Sequence, residues 1–254
     1  MKYGLKIWST NTELFNEAVS LSKKGDFDFI EIYIVPNSIA DKKLNISGFK
    51  GVLTAIHTTH MEHGFNIFEL DDLKIDFFQE QVVKTANFLG SKFIILHPDA
   101  GESREIFKKN VKKIKDERIL IENMPKIGLN NELCFGYSFE QLKFINGLGF
   151  DICLDFGHAI KSAMSQKINY KKFIERIILE LNPFYFHITN GRADNEKDEH
   201  MDLFGGDFDI KWIKKTLQKL KGKRQKEAYL VFETPKGKRG LKNDIKNINY
   251  FRSL

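Results

Sequence analysis

Along the whole chain, short apolar runs alternate with stretches in which apolar residues return every three or four positions. The runs read as buried strands and the stretches as amphipathic helices, and this alternation is the signature of repeated βαβ units. The pattern predicts strands near residues 3–8, 27–34, 51–57, 92–97, 118–122, 150–155, 183–188 and 228–233. It predicts helices near 12–23, 72–89, 102–114, 138–146, 169–181, 209–220 and 241–252, with a weak or short one near 37–44. Asn11, Thr12 and Ser138 stand where helix N-caps are expected, and Gly90 and Gly147 where helices stop. No low-complexity linker divides the 254 residues, a length usual for one (β/α)₈ barrel. The expected fold is therefore a TIM barrel, with residues 1–254 as one domain.

A second pattern is laid over the first. The runs GVLTAIH, KFIILH, RILIE, DICLD, FYFH and YLVFE each close on a side chain able to bind metal: His57, His97, Glu122, Asp155, His187 and Glu233. His158 follows Asp155 by three residues. In a barrel of parallel strands such positions meet at one mouth, where the chemistry of this fold is done. An open doubly wound sheet would instead gather its ligands at a single switch point. Carboxylates and imidazoles brought to one spot repel, or go unsatisfied, unless a cation lies among them.

The stretch from Asn190 to Gly206 is long for a loop in a compact barrel, and long loops of this kind are often functional. It carries Asp198 and His200, two residues apart, so that in an extended segment both face one way. With these, the candidate ligands number nine: His57, His97, Glu122, Asp155, His158, His187, Asp198, His200 and Glu233. One ion cannot use nine side chains. Two or three can, with carboxylates bridging ions roughly 3.5–4 Å apart. Zn²⁺ suits such a mixed imidazole and carboxylate set, and would lower the pKa of a bound water toward about 7.

Composition narrows the picture modestly. Hydrophobic residues make up 42% and charged residues 29%, ordinary for a globular protein. The net charge of +6 is compatible with a phosphate-bearing partner without requiring one. The dense runs Lys108–Lys115 and Lys221–Lys226 read as solvated surface away from the mouth. Two cysteines, Cys134 and Cys153, form no disulfide framework, and Cys153 reads as a small core residue. The N-terminal MKYGLKIWSTN reads as a strand and lacks the apolar segment of a signal peptide, and no apolar stretch is long enough to span a bilayer. A cytoplasmic protein with no membrane partner is expected. His60, in the loop HTTHMEHGF, is a candidate substrate contact. Arg192, Lys236, Lys238 and Arg239, in the loops after the seventh and eighth strands, are candidate phosphate contacts.

The segments LHPDAG (from His97), LIEN (Leu120–Asn123), CLDFGHA (Cys153–Ala159), HITN (His187–Asn190), DEH (Asp198–His200) and VFET (Val231–Thr234) resemble the xylose-isomerase-like barrel superfamily. Within it they look most like the endonuclease IV branch, TIM barrels that hold three zinc ions and cleave the DNA backbone at abasic sites. The nine ligands of that branch fall on the nine positions named above. The resemblance implies that Glu122 and Glu233 bridge ions and that a metal-held hydroxide attacks phosphorus in line. The chain departs from the branch in places: Asp155-Phe156-Gly157-His158 stands where the family has Asp-Thr-Cys-His, and EIYIVPNSIADKK lacks the Arg-rich segment that enters DNA. Four positions, Glu122, Asp155, His187 and Glu233, also match the single-metal tetrad of the sugar isomerase and epimerase branch. There one Mn²⁺, Mg²⁺ or Co²⁺ polarises the substrate while the two glutamates move a proton on carbon and His158 touches substrate. Abasic-site DNA is thus the first expected substrate, and a sugar or other phosphorylated small molecule the alternative.

Overall fold

The computed structural model describes residues 1–38, 46–220, 227–236 and 240–254. Eight strands close into one parallel barrel in chain order: β1 (Lys2–Trp8), β2 (Phe29–Tyr33), β3 (Thr54–His57), β4 (Ile94–Leu96), β5 (Ile119–Glu122), β6 (Asp151–Asp155), β7 (Tyr185–Ile188) and β8 (Tyr229–Phe232). Each expected strand is present; β1 starts one residue earlier than expected and the other seven are trimmed at one or both ends. On the outside lie α1 (Phe15–Lys24), α2 (Asp72–Phe77), α3 (Lys84–Leu89), α4 (Arg104–Val111), α5 (Phe139–Gly147), α6 (Phe156–Ser165), α7 (Tyr170–Leu181), α8 (Ile210–Leu220) and α9 (Lys242–Ser253). A wider π turn, Phe78–Val83, joins α2 to α3, so the expected 72–89 helix is continuous. The weak helix expected near 37–44 lies mostly outside the described residues, as does the lysine run 221–226.

Local chemistry explains the boundaries. Ser138 and Gln141 form a reciprocal capping box that starts α5. Gly90, at a φ of 66°, ends α3 in the left-handed conformation. Two expectations need correction. Asn11 caps no helix with its side chain, which turns back to accept from the Trp8 N–H at 2.9 Å. Gly147 is the last residue of α5 and not the stop beyond it; Gly149, at φ 98°, makes the left-handed turn.

One helix was not anticipated. α6 begins directly after β6, with Asp155 as its N-cap accepting from the His158 N–H at 2.6 Å. A run opening Phe-Gly-His carries little helical signal, and the signal that was present is an Asp three residues ahead of the amide it caps.

The period-two alternation of the strands sorts the barrel into two cores. Ile30, Ile32, Ile56, Ile121, Leu154, Phe186 and Leu230 pack outward against the helices in one large cluster. Phe29, Ala55, Ile95, Leu120, Cys153, Tyr185 and Tyr229 form a smaller cluster filling the barrel interior. Gly4 on β1 belongs to this inner packing, since a Cβ there would lie 2.4 Å from the Phe29 ring. On β2 to β7 the residues two further along from the inner cluster are Glu31, His57, His97, Glu122, Asp155 and His187, all buried. The apolar plug thus supports a polar layer directly above it.

Candidate metal centre

Glu122, at the end of β5, is the hub of that layer and is fully buried. One of its oxygens, Oε2, lies 3.0 Å from Nε2 of both His57 and His97. The other, Oε1, lies 3.0 Å from Nδ1 of His187 and 3.4 Å from Nδ1 of His158. Nδ1 of His187 also lies 2.7 Å from Oε1 of Glu233. Farther out, Nε2 of His200 lies 2.6 Å from Asp198 Oδ2 and 3.4 Å from Glu233 Oε2, while Nε2 of His158 is 3.7 Å from Asp198. All nine side chains expected to converge do so. Among the described residues five groups have ligand atoms within 4.8 Å of one another. Three consist wholly of these nine, namely His57, His97, Glu122; Glu122, Asp155, His187, Glu233; and His158, Asp198, His200. The other two add Glu31 beside His57, His187 and Glu233, and Cys153 beside Glu122 and His187.

The hydrogen bonds around the imidazoles test whether cations fit. His57 donates from Nδ1 to the Thr58 carbonyl at 2.7 Å, and His158 from Nδ1 to the Asn123 carbonyl at 2.8 Å. His187 donates from Nε2 to the Glu31 carboxylate at 3.0 Å. With one nitrogen so engaged, each neutral ring presents its other nitrogen's lone pair toward carboxylate oxygens. Two lone pairs 3 Å apart repel unless a proton or metal ion lies between them. Anchoring the non-ligating nitrogen is also how proteins orient histidine ligands. Asp155 adds an oxygen, Oδ2, that is buried and has no hydrogen-bond partner. This donor set fits divalent ions.

The titration behaviour has the same origin. Burial pushes the Glu122 carboxyl up, but the imidazoles of His187, His97 and His57 outweigh it and hold Glu122 well below the usual carboxylate range. Burial likewise pushes His187 and His158 down, and the acids around each lift it well above the usual imidazole range. His200 rises to about 9, with Asp198 overcoming the cost of enclosure. Where protons are favoured at ligand nitrogens, a cation is favoured as well. His97 behaves in the opposite sense: burial brings it down to about 4 despite Glu122.

Two charged residues that the sequence pattern did not single out complete the layer. Lys6, inside β1, puts its ammonium 2.6 Å from Glu233 Oε1 and 3.7 Å from Glu31. Burial disfavours that charge, yet Glu233 and Glu31 raise its pKa. Glu31, inside β2, accepts from the Tyr185 hydroxyl at 2.7 Å as well as from His187. Lys and Glu in otherwise apolar strands, GLKIW and FIEIY, were the available signal. Asp99, two residues after His97, is buried at a φ of 59° with Oδ2 unpartnered.

Above the layer opens a cavity of about 630 Å³. Trp8, Tyr33, Met124, Pro125, Ile127 and Leu129 give it apolar and aromatic walls, and Lys6, His97, His158, Asp198, His200 and Glu233 its polar floor. Of the expected substrate contacts, His60 lines this cavity, with burial holding its imidazole far down, near 2. Lys236 also lines it, but its ammonium is bonded to Asp244. Arg192 is exposed and does not line the cavity; its backbone serves instead to bond Lys161 and Glu199. Lys238 and Arg239 lie outside the described residues. Both cysteines are buried and free, Cys153 in the core as expected. Among the described residues no helix is long and apolar enough to cross a membrane.

Comparison with known proteins places this geometry. A probable endonuclease 4 of Mesomycoplasma hyopneumoniae strain J is 24% identical over 159 residues, 56% of this chain and 56% of that protein. One from Mycoplasmopsis synoviae is 26% identical over 175 residues, covering 61% and 60%. The chain therefore aligns with little more than half the length of these relatives. Among solved structures, endonuclease IV from Thermus thermophilus superposes with a TM-score of 0.70 at 18% identity, covering 100% of this chain and 98% of that one. A 3-keto-D-glucoside 4-epimerase from E. coli superposes with a TM-score of 0.69 at 11% identity, covering all of both chains. At these identities the likeness establishes the shared fold. The family described as xylose isomerase-like TIM barrel matches residues 19–253. With its closed barrel and the layer of acids and imidazoles at one mouth, the chain belongs to the xylose isomerase-like TIM barrel family.

Proposed function

We propose that this protein is a metal-dependent phosphoester hydrolase with two or three zinc ions, and that DNA containing an abasic site is its model substrate. The observation that supports the reading is that the nine side chains are all accounted for by three neighbouring groups, two of which share Glu122. A single ion would leave His57, His97, Asp198 and His200 without purpose. His57, His97 and Glu122 would hold one ion, Glu122, Asp155, His187 and Glu233 a second, and His158, Asp198 and His200 a third. Such ions, when bound, lower the pKa of water and neutralise charge on a phosphoryl group.

The remaining work falls to the chain itself. Glu31 and the carbonyls of Thr58 and Asn123 fix the rings of His187, His57 and His158 by hydrogen bonds. Lys6 offsets the charge of Glu233 and Glu31 at the floor. Trp8 and Tyr33, with ring centroids 5.1 Å apart, form an aromatic wall against which a sugar or base can lie. The names borne by the relatives, endonuclease 4 and endonuclease IV, support this reading.

A second reading has its own support. Glu122, Asp155, His187 and Glu233 form a closed tetrad that one Mn²⁺, Mg²⁺ or Co²⁺ could use, and a cavity of about 630 Å³ suits a sugar or sugar phosphate. The two glutamates would then exchange a proton with substrate carbon, as an isomerase or epimerase requires. Incubation of metal-replete protein with an abasic-site duplex decides between them. Strand cleavage at the lesion is expected. Absence of cleavage, together with a single ion per chain, would transfer the assignment to the isomerase.

A further inference from the structure

Lys161 is a fully buried lysine outside the cavity, on α6 three residues beyond His158. That spacing puts the two on neighbouring positions of the same helix face, so one face presents both a candidate ligand and an ammonium ion. A lysine has three N–H donors. Here they bond the Arg192 carbonyl at 2.9 Å, the Asn195 carbonyl at 2.6 Å and Glu199 Oε2 at 2.7 Å. All three acceptors belong to the loop that brings Asp198 and His200 to the mouth.

The surroundings are shaped for this contact. Glu199 Oε2 also accepts from the Arg192 N–H at 2.9 Å, closing the loop on itself around the ammonium. The Phe208 ring lies 5.5 Å from Lys161 Nζ. Gly191 leaves room for the stem, since a Cβ there would meet the Phe208 ring at 2.8 Å and Lys161 Cε at 3.3 Å. A buried ammonium is costly unless fully paired, so a packing role alone would be better served by Met or Leu. At its base the loop is held by the Asn190–Met201 bridge. Between those residues lie Asp198 and His200, the latter 43% exposed in its side chain and held at a φ of 43°.

We propose that Lys161 is a positioning residue for the outer ion: by tying Arg192, Asn195 and Glu199 to α6, it sets Asp198 and His200 opposite His158, and that ion is retained only while the tie is intact. This rests on the metal-centre reading above. The inner groups, carried by strand ends, do not depend on it.

Cobalt titration of the metal-free protein tests the proposal by visible absorption and by metal content, neither of which needs a substrate. Lys161→Met should weaken the outermost class of sites by roughly 10- to 100-fold, the range for loss of a supporting contact, while the inner classes keep their affinity and spectrum. Lys161→Arg, which retains charge and donors, should recover most of the loss. His200→Ala is the control. If it removes an ion and Lys161→Met does not, the positioning role is overturned while the metal centre stands. If His200→Ala leaves the cobalt count unchanged, the outer group binds no metal and the metal reading fails there first. Loss of inner ions in Lys161→Met also overturns the proposal, because the tie would then act on the whole barrel. Should Lys161→Met not fold, Glu199→Gln decides: a roughly tenfold loss confined to the outer class supports the role, and no loss overturns it.

Discussion

The two halves of the candidate metal centre are built by different means. In the inner half, His57, Glu122, Asp155 and His187 are fully buried, and each stands last or next to last in a strand whose preceding inward residue lies in the apolar plug. In the outer half, Asp198 and His200 ride on a loop and retain partial exposure. Strand ends inherit their precision from the barrel, whereas the loop must be fastened by contacts of its own, chiefly those of Lys161. Rigid scaffolding makes ligand positions dependable; loop delivery makes them separable from the fold.

Perturbations can sharpen that contrast. The largest effect should come from Glu122→Gln, which removes the negative charge that the imidazoles converge on. Metal analysis is expected to show loss of about two ions, beyond the roughly 10–100-fold weakening typical of lost supporting contacts. Retention of the full metal complement would break the idea of a hub. His200→Ala should remove the outer ion and with it abasic-site cleavage, leaving inner-site spectra unchanged. Glu31→Gln should act the other way round, weakening inner binding by roughly 10–100-fold as His187 loses its carboxylate partner, with the outer site intact.

pH should act more gently and on both halves, since His187 and His200 are both raised, and the outer half can be followed at His200. His200 is held at about 9, above the unfolded value of about 6.5. Its protonated form stabilises the metal-free fold below about pH 6.5, and that contribution fades as pH rises through about 9. Metal requires the neutral ring, so outer affinity should grow with pH across this window, with proton release near neutrality. Calorimetry in buffers of different ionisation heat reads that release directly; heats independent of buffer would contradict it. The smallest effect concerns Asp99, a non-glycine residue in left-handed conformation with an unpartnered buried oxygen. Asp99→Gly should stabilise the fold by about 1 kcal/mol, a shift of roughly 2–4 °C in Tm. A lower Tm would mean that the bond from the Met61 N–H outweighs the strain.

How far each feature was legible in the sequence follows from the same division. The closing residue of an apolar run announces itself, because period two carries it inward and no apolar side chain is there to fill the position. Thus His57, His97, Glu122, Asp155, His187 and Glu233 could be read directly, and their convergence follows from barrel closure. Lys6 and Glu31 were passed over because they sit within strands, and their meaning depends on partners far along the chain: Glu233 for one, His187 and Tyr185 for the other. α6 escaped because its start is specified by a side-chain cap and not by periodicity. Arg192 is a contrasting case, a suggestive residue type on a loop where its backbone makes the bonds and its side chain stays outside the cavity. Loop chemistry is written in three-dimensional contacts that spacing does not encode.

Asp155 divides its carboxylate between two duties. Oδ1 receives the His158 N–H that begins α6, and Oδ2 is left free toward the tetrad. The helix bearing His158 and Lys161 is therefore hinged on an acid that belongs to the inner half. A change at this single carboxyl propagates outward twice, through the imidazole three residues on and through the fastener six residues on. The geometry of the rim at His158 thus depends on where the barrel's sixth strand ends.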